Sequence, residues 1–161
     1  MDRTRDLLEN VDDEAPANDA VFEAICRDAA ENLDADLVSV WRFRQGPKRI
    51  ECLFALDVPT DAVTKGQSLL ESDFPTYFKS IVQETIVCAP DAAEHPMTRE
   101  LAGPYFEPNG IVSLLDFIVH HDFKPVGIIC CENRASRRDW SEEDREYLRR
   151  LATLASFETR I

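Results

Sequence analysis

The feature that most constrains the fold is a pair of apolar runs separated by a short polar turn. Ser113–Val119 and Val126–Glu132 are rich in β-branched side chains, and each run has the length of a β-strand. Between them stand Asp122, Lys124 and Pro125, which are residues that favour turns. The pattern predicts an antiparallel β-hairpin at the centre of a sheet.

The charge distribution restricts the classes of partner. The chain of 161 residues has a formal net charge of −13, and residues 1–36 hold twelve acidic residues against three arginines. Such a field repels nucleic acid, so we expect no nucleic-acid partner. No apolar run approaches the ~20 residues that span a bilayer, and an acidic stretch stands where a signal peptide would be apolar. We therefore expect a cytoplasmic protein with no membrane partner.

The five cysteines predict reduced thiols, because their number is odd, their neighbours are apolar and no Cys-x-x-Cys pair occurs. Cys130 and Cys131 are adjacent, so on a strand they point to opposite faces and cannot easily bind one metal ion. His95, His120 and His121 lack the spacing of a metal site. No metal is expected, and the sequence identifies no cofactor.

The remaining pattern predicts an α+β fold, in which residues 1–17 form an acidic arm or short helix and residues 18–161 form one domain. The last helix follows a capping box, Ser141–Asp144. Apolar residues cover much of its circumference, so we expect it to contact a second surface besides the sheet. We expect helices over 19–33, 76–84, 98–106 and from 141 onward, the third of them interrupted near Gly103 and Pro104. Strands are expected over 36–43, 49–55, 68–71 and 85–88 besides the hairpin.

Several stretches in this order resemble the GAF domain family over residues 18–161. They are Ala35–Trp41, Asp73–Phe78, Asn109–Asp116, Pro125–Asn133 and Trp140–Asp144. The resemblance implies a GAF/PAS-like antiparallel sheet of five to six strands. It also implies N- and C-terminal helices on one face and a lid of loops and short helices over a pocket on the other. Such domains are usually sensory or dimerisation modules of histidine kinases, nucleotide cyclases, phosphodiesterases and transcription regulators.

Three branches of that family can be compared with this chain, and each matches it only in part. The cyclic-nucleotide-binding branch has a signature similar to Asn133-Arg134 followed by Trp140 and Asp144, and this implies a structural pair of Arg134 with Asp144. The phytochrome-like branch has an Asp-Ile-Pro turn similar to residues 73–75, but its chromophore-linking cysteines are missing here. The free methionine sulfoxide reductases, which are enzymes, have a Gly-x-Cys-Gly motif that this chain lacks.

Two carboxylates on the hairpin are the main candidates for ligand contact. Asp116 shares a strand face with Leu114 and Ile118, and Glu132 shares one with Ile128 and Cys130. A charge on such a face is costly unless it is paired or hydrated. Asp116 is therefore either an acceptor for a ligand or part of a structural hydrogen bond, and Glu132 lies either at the pocket rim or at a solvent-facing strand end.

The segment before the second helix supplies candidates for the lid. Asp73, Phe74, Tyr77 and Phe78 place aromatic rings beside a carboxylate, as in many small-molecule sites, although ordinary packing of the lid explains them equally well. Asp91 and Tyr105 are further lid candidates.

These patterns favour a sensory or regulatory domain that is not an enzyme. We expect it to bind an unidentified small molecule, to dimerise through its terminal helices and to relay a signal to an effector such as a histidine kinase or a cyclic-dinucleotide enzyme. The effector is expected on the C-terminal side. The alternatives are a ligand-free dimerisation scaffold and a thiol-dependent free methionine sulfoxide reductase.

Overall fold

The computed structural model describes residues 15–159 and residue 161. Most of the predicted acidic arm lies outside this range. The helices are α1 (Ala15–Leu33), α2 (Pro75–Glu84), the single turn α3 (Glu107–Asn109) and α4 (Glu142–Glu158). The strands are β1 (Leu37–Arg44), β2 (Arg49–Asp57), β3 (Ala62–Thr64), β4 (Ser68–Leu70), β5 (Ile86–Ala89), β6 (Ser113–His121) and β7 (Lys124–Asn133).

The strands form one antiparallel sheet in the order β3-β2-β1-β7-β6-β5, and β4 also pairs with β2. This confirms the predicted α+β class and adds one short strand, β3, in a stretch expected to be a loop. α1 and α4 cover one face over an apolar core, and a second core fills the opposite face beneath α2 and the segment after β5. In the described part of the chain no helix has the length and apolarity needed to cross a membrane.

The central hairpin is longer than the pattern suggested. Its turn consists only of Asp122 and Phe123, which both have positive φ angles of 50° and 63°. Two such residues in succession form the turn whose twist matches that of the flanking strands. Lys124 and Pro125 therefore belong to β7, where they pair with His121 and His120.

The predicted interruption near Gly103 and Pro104 is confirmed, but residues 98–106 form no regular α-helix on either side of it. The chain instead forms a 3₁₀ turn at Arg99–Leu101, one turn of π-helix at Ala102–Phe106 and then α3. Pro104 has no N–H to donate, and the neighbouring Gly103 has a low helix propensity, so a regular α-helical ladder is interrupted here.

The two long helices differ in how well their starts were predicted. α1 begins at Ala15, four residues before the predicted start at Asp19, whose side chain pairs with Lys65. α4 begins as predicted, because the Ser141 hydroxyl accepts a hydrogen bond from the Asp144 N–H and the Asp144 carboxylate accepts one from the Ser141 N–H. α4 packs against β6 and α1.

Candidate functional site

Two carboxyl groups are buried together on the sheet face away from α1 and α4. Asp116 is 1% exposed and Glu132 is 0% exposed. In the pairing of β6 with β7, Asp116 lies opposite Cys130, and Glu132 is the next residue of β7 on the same face. The hairpin therefore places the two side chains as diagonal neighbours, close enough to interact.

Each carboxyl group accepts a hydrogen bond from a tyrosine on the covering layer. The Tyr77 hydroxyl, in the first turn of α2, donates to Asp116 Oδ2 at 2.5 Å. The Tyr105 hydroxyl, on the π-helical turn, donates to Glu132 Oε1 at 3.0 Å. Pro75 is favourable at the first position of α2, because a backbone N–H there would have no partner within the helix. It helps to fix the start of α2 and so the position of Tyr77.

The second oxygen of each carboxyl group has no hydrogen-bond partner among the described residues. Both Asp116 Oδ1 and Glu132 Oε2 are buried. Burial raises the pKa of Asp116 to about 7, and the neighbouring Cys130 thiol and the hydrogen bond from Tyr77 act in the opposite direction. Burial and the nearby Asp116 raise the pKa of Glu132 to about 8. Near neutral pH the site therefore binds protons, and each carboxyl group has one oxygen without a partner in the described structure.

The space beside these groups is small. We call it the inner cavity; it has a volume of about 20 Å³, enough for about one water molecule. A larger outer cleft of about 380 Å³ lies next to it, lined by residues that include Asp57, Asn109 and Arg134. Its lining residues are the following: Leu37, Trp41, Ala55, Asp57, Ala62, Thr64, Gln67, Leu69, Pro104, Tyr105, Asn109 and Arg134.

Three side chains separate the inner cavity from the outer cleft. Trp41, Leu69 and Tyr105 line both spaces. The rings of Trp41 and Tyr105 meet edge to face with centroids 6.3 Å apart. Tyr105 lies on a single π-helical turn, a feature often found at functional sites.

The family model described as the GAF domain matches residues 18–158, which is most of the chain. The chain belongs to the GAF domain family. None of the curated proteins compared with the chain matches it.

Solved GAF structures share the fold at low sequence identity. A methyl-accepting chemotaxis protein is 16% identical, with a TM-score of 0.74 and coverage of 98% of this chain and 94% of that chain. The blue-light-absorbing form of the PixJ GAF domain from Thermosynechococcus elongatus is 17% identical, with a TM-score of 0.73 and coverage of 86% and 82%. The GAF domain of an Acinetobacter phosphoenolpyruvate-protein phosphotransferase is 16% identical, with a TM-score of 0.68 and coverage of 97% and 89%.

Within this GAF domain, the sequence-predicted strand face is present, but only part of it reaches the inner cavity. The predicted residues that line the cavity are Tyr77, Leu114, Asp116 and Cys130. Phe74, Ile118 and Ile128 pack in the surrounding core with the buried Glu132.

Two predicted lid residues, Asp73 and Asp91, lie elsewhere. Asp73 is exposed, and the Asp91 carboxylate pairs with Arg137 at 2.6 Å. Phe78 is buried beside Tyr77 but lines a separate surface groove. Four lining residues were not proposed from the sequence: Trp41, Ile50, Leu69 and Leu101. On β1 and β2 the alternation of side chains could have assigned Trp41 and Ile50 to the face that lines the cavity. No local pattern indicated that Leu101 lies there.

The predicted pair of Arg134 with Asp144 is wrong. Arg134 follows β7 directly and bonds instead to Asp57, at the end of β2, with an Nη2–Oδ2 distance of 2.8 Å. Asp144 lies 3.3 Å from Arg138, whose position in the connector brings it to the start of α4. The hydrogen bond from Arg134 lowers the pKa of Asp57.

The thiols of the domain are poorly suited to redox catalysis. Burial raises the pKa of Cys52 to about 12, and it also raises the pKa values of Cys130 and Cys131 well above their usual range. The thiolate is the reactive form, so these groups are protonated and unreactive near neutral pH. This observation weighs against the sulfoxide-reductase alternative.

Proposed function

We propose that this GAF domain is a cytoplasmic sensory module that binds a small organic cation between Asp116 and Glu132. The observation that carries the proposal is the pair of buried carboxyl groups, each with one oxygen without a partner in the described residues. Buried acceptors without partners are costly, and two carboxyl groups side by side ionise fully only when a positive charge compensates them. A ligand with a charged N–H group supplies both the donors and the charge.

Binding requires the inner cavity to open, because a space of about 20 Å³ admits no organic ligand. Moving the Tyr105 ring joins the inner cavity to the outer cleft and releases Glu132 Oε1 from its hydrogen bond. The ligand then replaces the Tyr105 hydroxyl as donor. Displacement of the π-helical turn is the conformational change that we propose to be relayed to an effector.

The test is calorimetric titration of the full chain with agmatine, putrescine and histamine as probes. A cation lowers the pKa values of Asp116 and Glu132, so binding near neutral pH releases protons and affinity rises with pH. Proton release is measured by repeating the titration in two buffers of different ionisation enthalpy.

Matched variants separate this site from general charge effects. Asp116→Asn should reduce the proton release and weaken binding at least about tenfold, whereas Glu84→Gln, at an exposed position of α2, should leave both unchanged. Equal affinity in the wild type and Asp116→Asn would refute the proposal. Native mass spectrometry of protein purified from cells extends the search beyond the three probes.

A ligand-free dimerisation scaffold is the second candidate, and the small volume of the inner cavity favours it. In that case Tyr77 and Tyr105 serve only to satisfy the buried carboxyl groups. Substituting Tyr105→Phe distinguishes the two roles: a scaffold loses stability alone, whereas a sensor also changes its affinity for the cation.

A further inference from the structure

A second site is suggested by a groove on the surface of the domain, away from the inner cavity. It has a volume of about 760 Å³ and lies where the β1–β2 turn, α2 and the start of β7 meet. We call it the basic groove because five cationic residues line it: Arg44, Lys48, Arg49, Lys79 and Lys124.

The charge of this groove is opposite to that of the chain. The chain has a net charge of −13, yet three of its four lysines line the groove and Glu71 is the one carboxylate in the lining. Within the described residues, Arg44 pairs with Glu51 at 3.4 Å, and none of the other four cations lies within ion-pair distance of a carboxylate. The groove therefore attracts a segment with several negative charges.

The floor of the groove is apolar. Phe43 and Phe78 meet edge to face with their ring centroids 6.3 Å apart, and the exposed fraction of Val82 is 43%. Pro75 and Pro125 extend the same surface. In an occupant that combines carboxylates with aliphatic side chains, the carboxylates would pair with the cationic residues and the aliphatic side chains would pack on the apolar floor.

We propose that the basic groove holds residues 6–14 of the same chain. This segment, Asp6-Leu-Leu-Glu-Asn-Val-Asp-Asp-Glu14, contains five carboxylates, three aliphatic side chains and no cation. Its charge matches the five cations of the groove.

The start of α1 places the segment within reach. Asp19 pairs with Lys65, and the neighbouring Gly66 N–H donates to the Cys52 carbonyl at 2.9 Å, so the first turns of α1 lie along the β2 edge of the sheet. Arg49, in the groove, is three residues from Cys52 on β2. Nine residues of extended chain span about 30 Å, whereas the three residues of β2 that separate Cys52 from Arg49 span only about 10 Å.

Zero-length carbodiimide cross-linking of the full chain tests the proposal, because it joins a lysine amine to a carboxylate only where the two are in contact. We expect cross-links from Lys48, Lys79 or Lys124 to the peptide that contains residues 6–14, with yields that fall as salt is raised from about 0.05 M to about 0.5 M. Lys65, outside the groove, is the internal control. A mixture of ¹⁴N- and ¹⁵N-labelled chains shows whether both partners belong to one chain.

Two variants keep every reacting group and change only the apolar contact. Val82→Ser, at a half-exposed floor position, and the double variant Leu7→Ser/Leu8→Ser should each lower the groove cross-links at least about fivefold and leave those of Lys65 unchanged. Absence of groove cross-links in the wild type, cross-links only between differently labelled chains, or yields unaffected by both variants would overturn the proposal.

Discussion

Asp116 and Glu132 are the residues that most sharply distinguish this domain from a simple scaffold. Burying a carboxyl group costs free energy, and here neither group is paired with a cation in the described structure. The tyrosine hydroxyls satisfy one oxygen of each group and leave the other unused. Burial therefore raises the pKa values of both groups to neutral pH or above, so the folded chain loses stability when the pH rises through them.

The free energy of unfolding should fall as the pH rises from about 5 to about 9. The folded chain holds protons on Asp116 and Glu132 up to pKa values of about 7 and about 8, whereas in the unfolded chain these groups ionise near 3.8 and 4.5. A folded state that binds more protons loses stability with rising pH. Because one pKa unit corresponds to about 1.4 kcal/mol, we expect a loss of at least about 2 kcal/mol in urea titrations.

The double variant Asp116→Asn/Glu132→Gln is the control for this pH dependence. It should flatten the profile over the same range, because the amides do not titrate. Below about pH 5 the carboxylates of surface pairs, such as Asp57 with Arg134, produce the opposite slope, since the pKa of Asp57 is lowered in the folded chain. An identical slope in the variant and the wild type would assign the effect to other groups.

The elements around the site differ in how firmly they are built. β6 and β7 are central in the sheet and paired along their whole length, whereas the residues between β5 and β6 form three short helical turns of different kinds. Tyr105 belongs to this less regular segment, and Tyr77 to the regular helix α2. We therefore expect the Glu132 side of the site to open more readily than the Asp116 side.

The capping box at the start of α4 should contribute measurably to stability. In Ser141→Ala the N–H of Asp144 loses its acceptor, so the free energy of unfolding should fall by about 1 kcal/mol. The matched control is Ser80→Ala, where the hydroxyl only bonds back to the Thr76 carbonyl within α2. That change should be close to neutral, because alanine has the higher helix propensity. Equal losses in the two variants would show that the cap is unimportant.

For the molecule as a whole, the sheet separates two cores with different roles. One core joins α1 and α4 to the sheet, and the other surrounds the buried carboxyl groups. On the helical side, α4 leaves two apolar side chains in solvent: Leu154 is 53% exposed and Phe157 is 74% exposed. These two side chains belong to the broad apolar surface of the last helix that the sequence predicted. We propose that two copies of the chain associate through this surface.

Substituting Leu154→Ser/Phe157→Ser should convert a dimer into a monomer. Removing two exposed apolar side chains weakens association through this face while leaving the folded chain intact, since neither side chain is buried. Sedimentation velocity measures the oligomeric state. The control is Phe123→Ser, which removes a fully exposed ring from the β6–β7 turn, far from α4 in the chain. A wild-type monomer at high concentration would contradict the dimer proposal.

Local patterns in the sequence determined the α+β class, the central hairpin and the start of α4, and they placed Asp116 and Glu132 each on a strand face with apolar neighbours. These features depend on periodicity and on capping residues, which act over a few positions. At Gly103 and Pro104 the sequence predicted an interruption of the helix over 98–106, but not the 3₁₀ and π-helical turns that replace it.

Only the tertiary structure decided what the two carboxyl groups contact. Tyr77 is 39 residues from Asp116, and Tyr105 is 27 residues from Glu132. Arg134 bonds to Asp57, 77 residues away, and not to Asp144. The size of the inner cavity likewise depends on how α2 and the π-helical turn settle on the sheet. Such contacts are chosen by the packing of whole elements, and local sequence patterns carry no information about which side chains then meet.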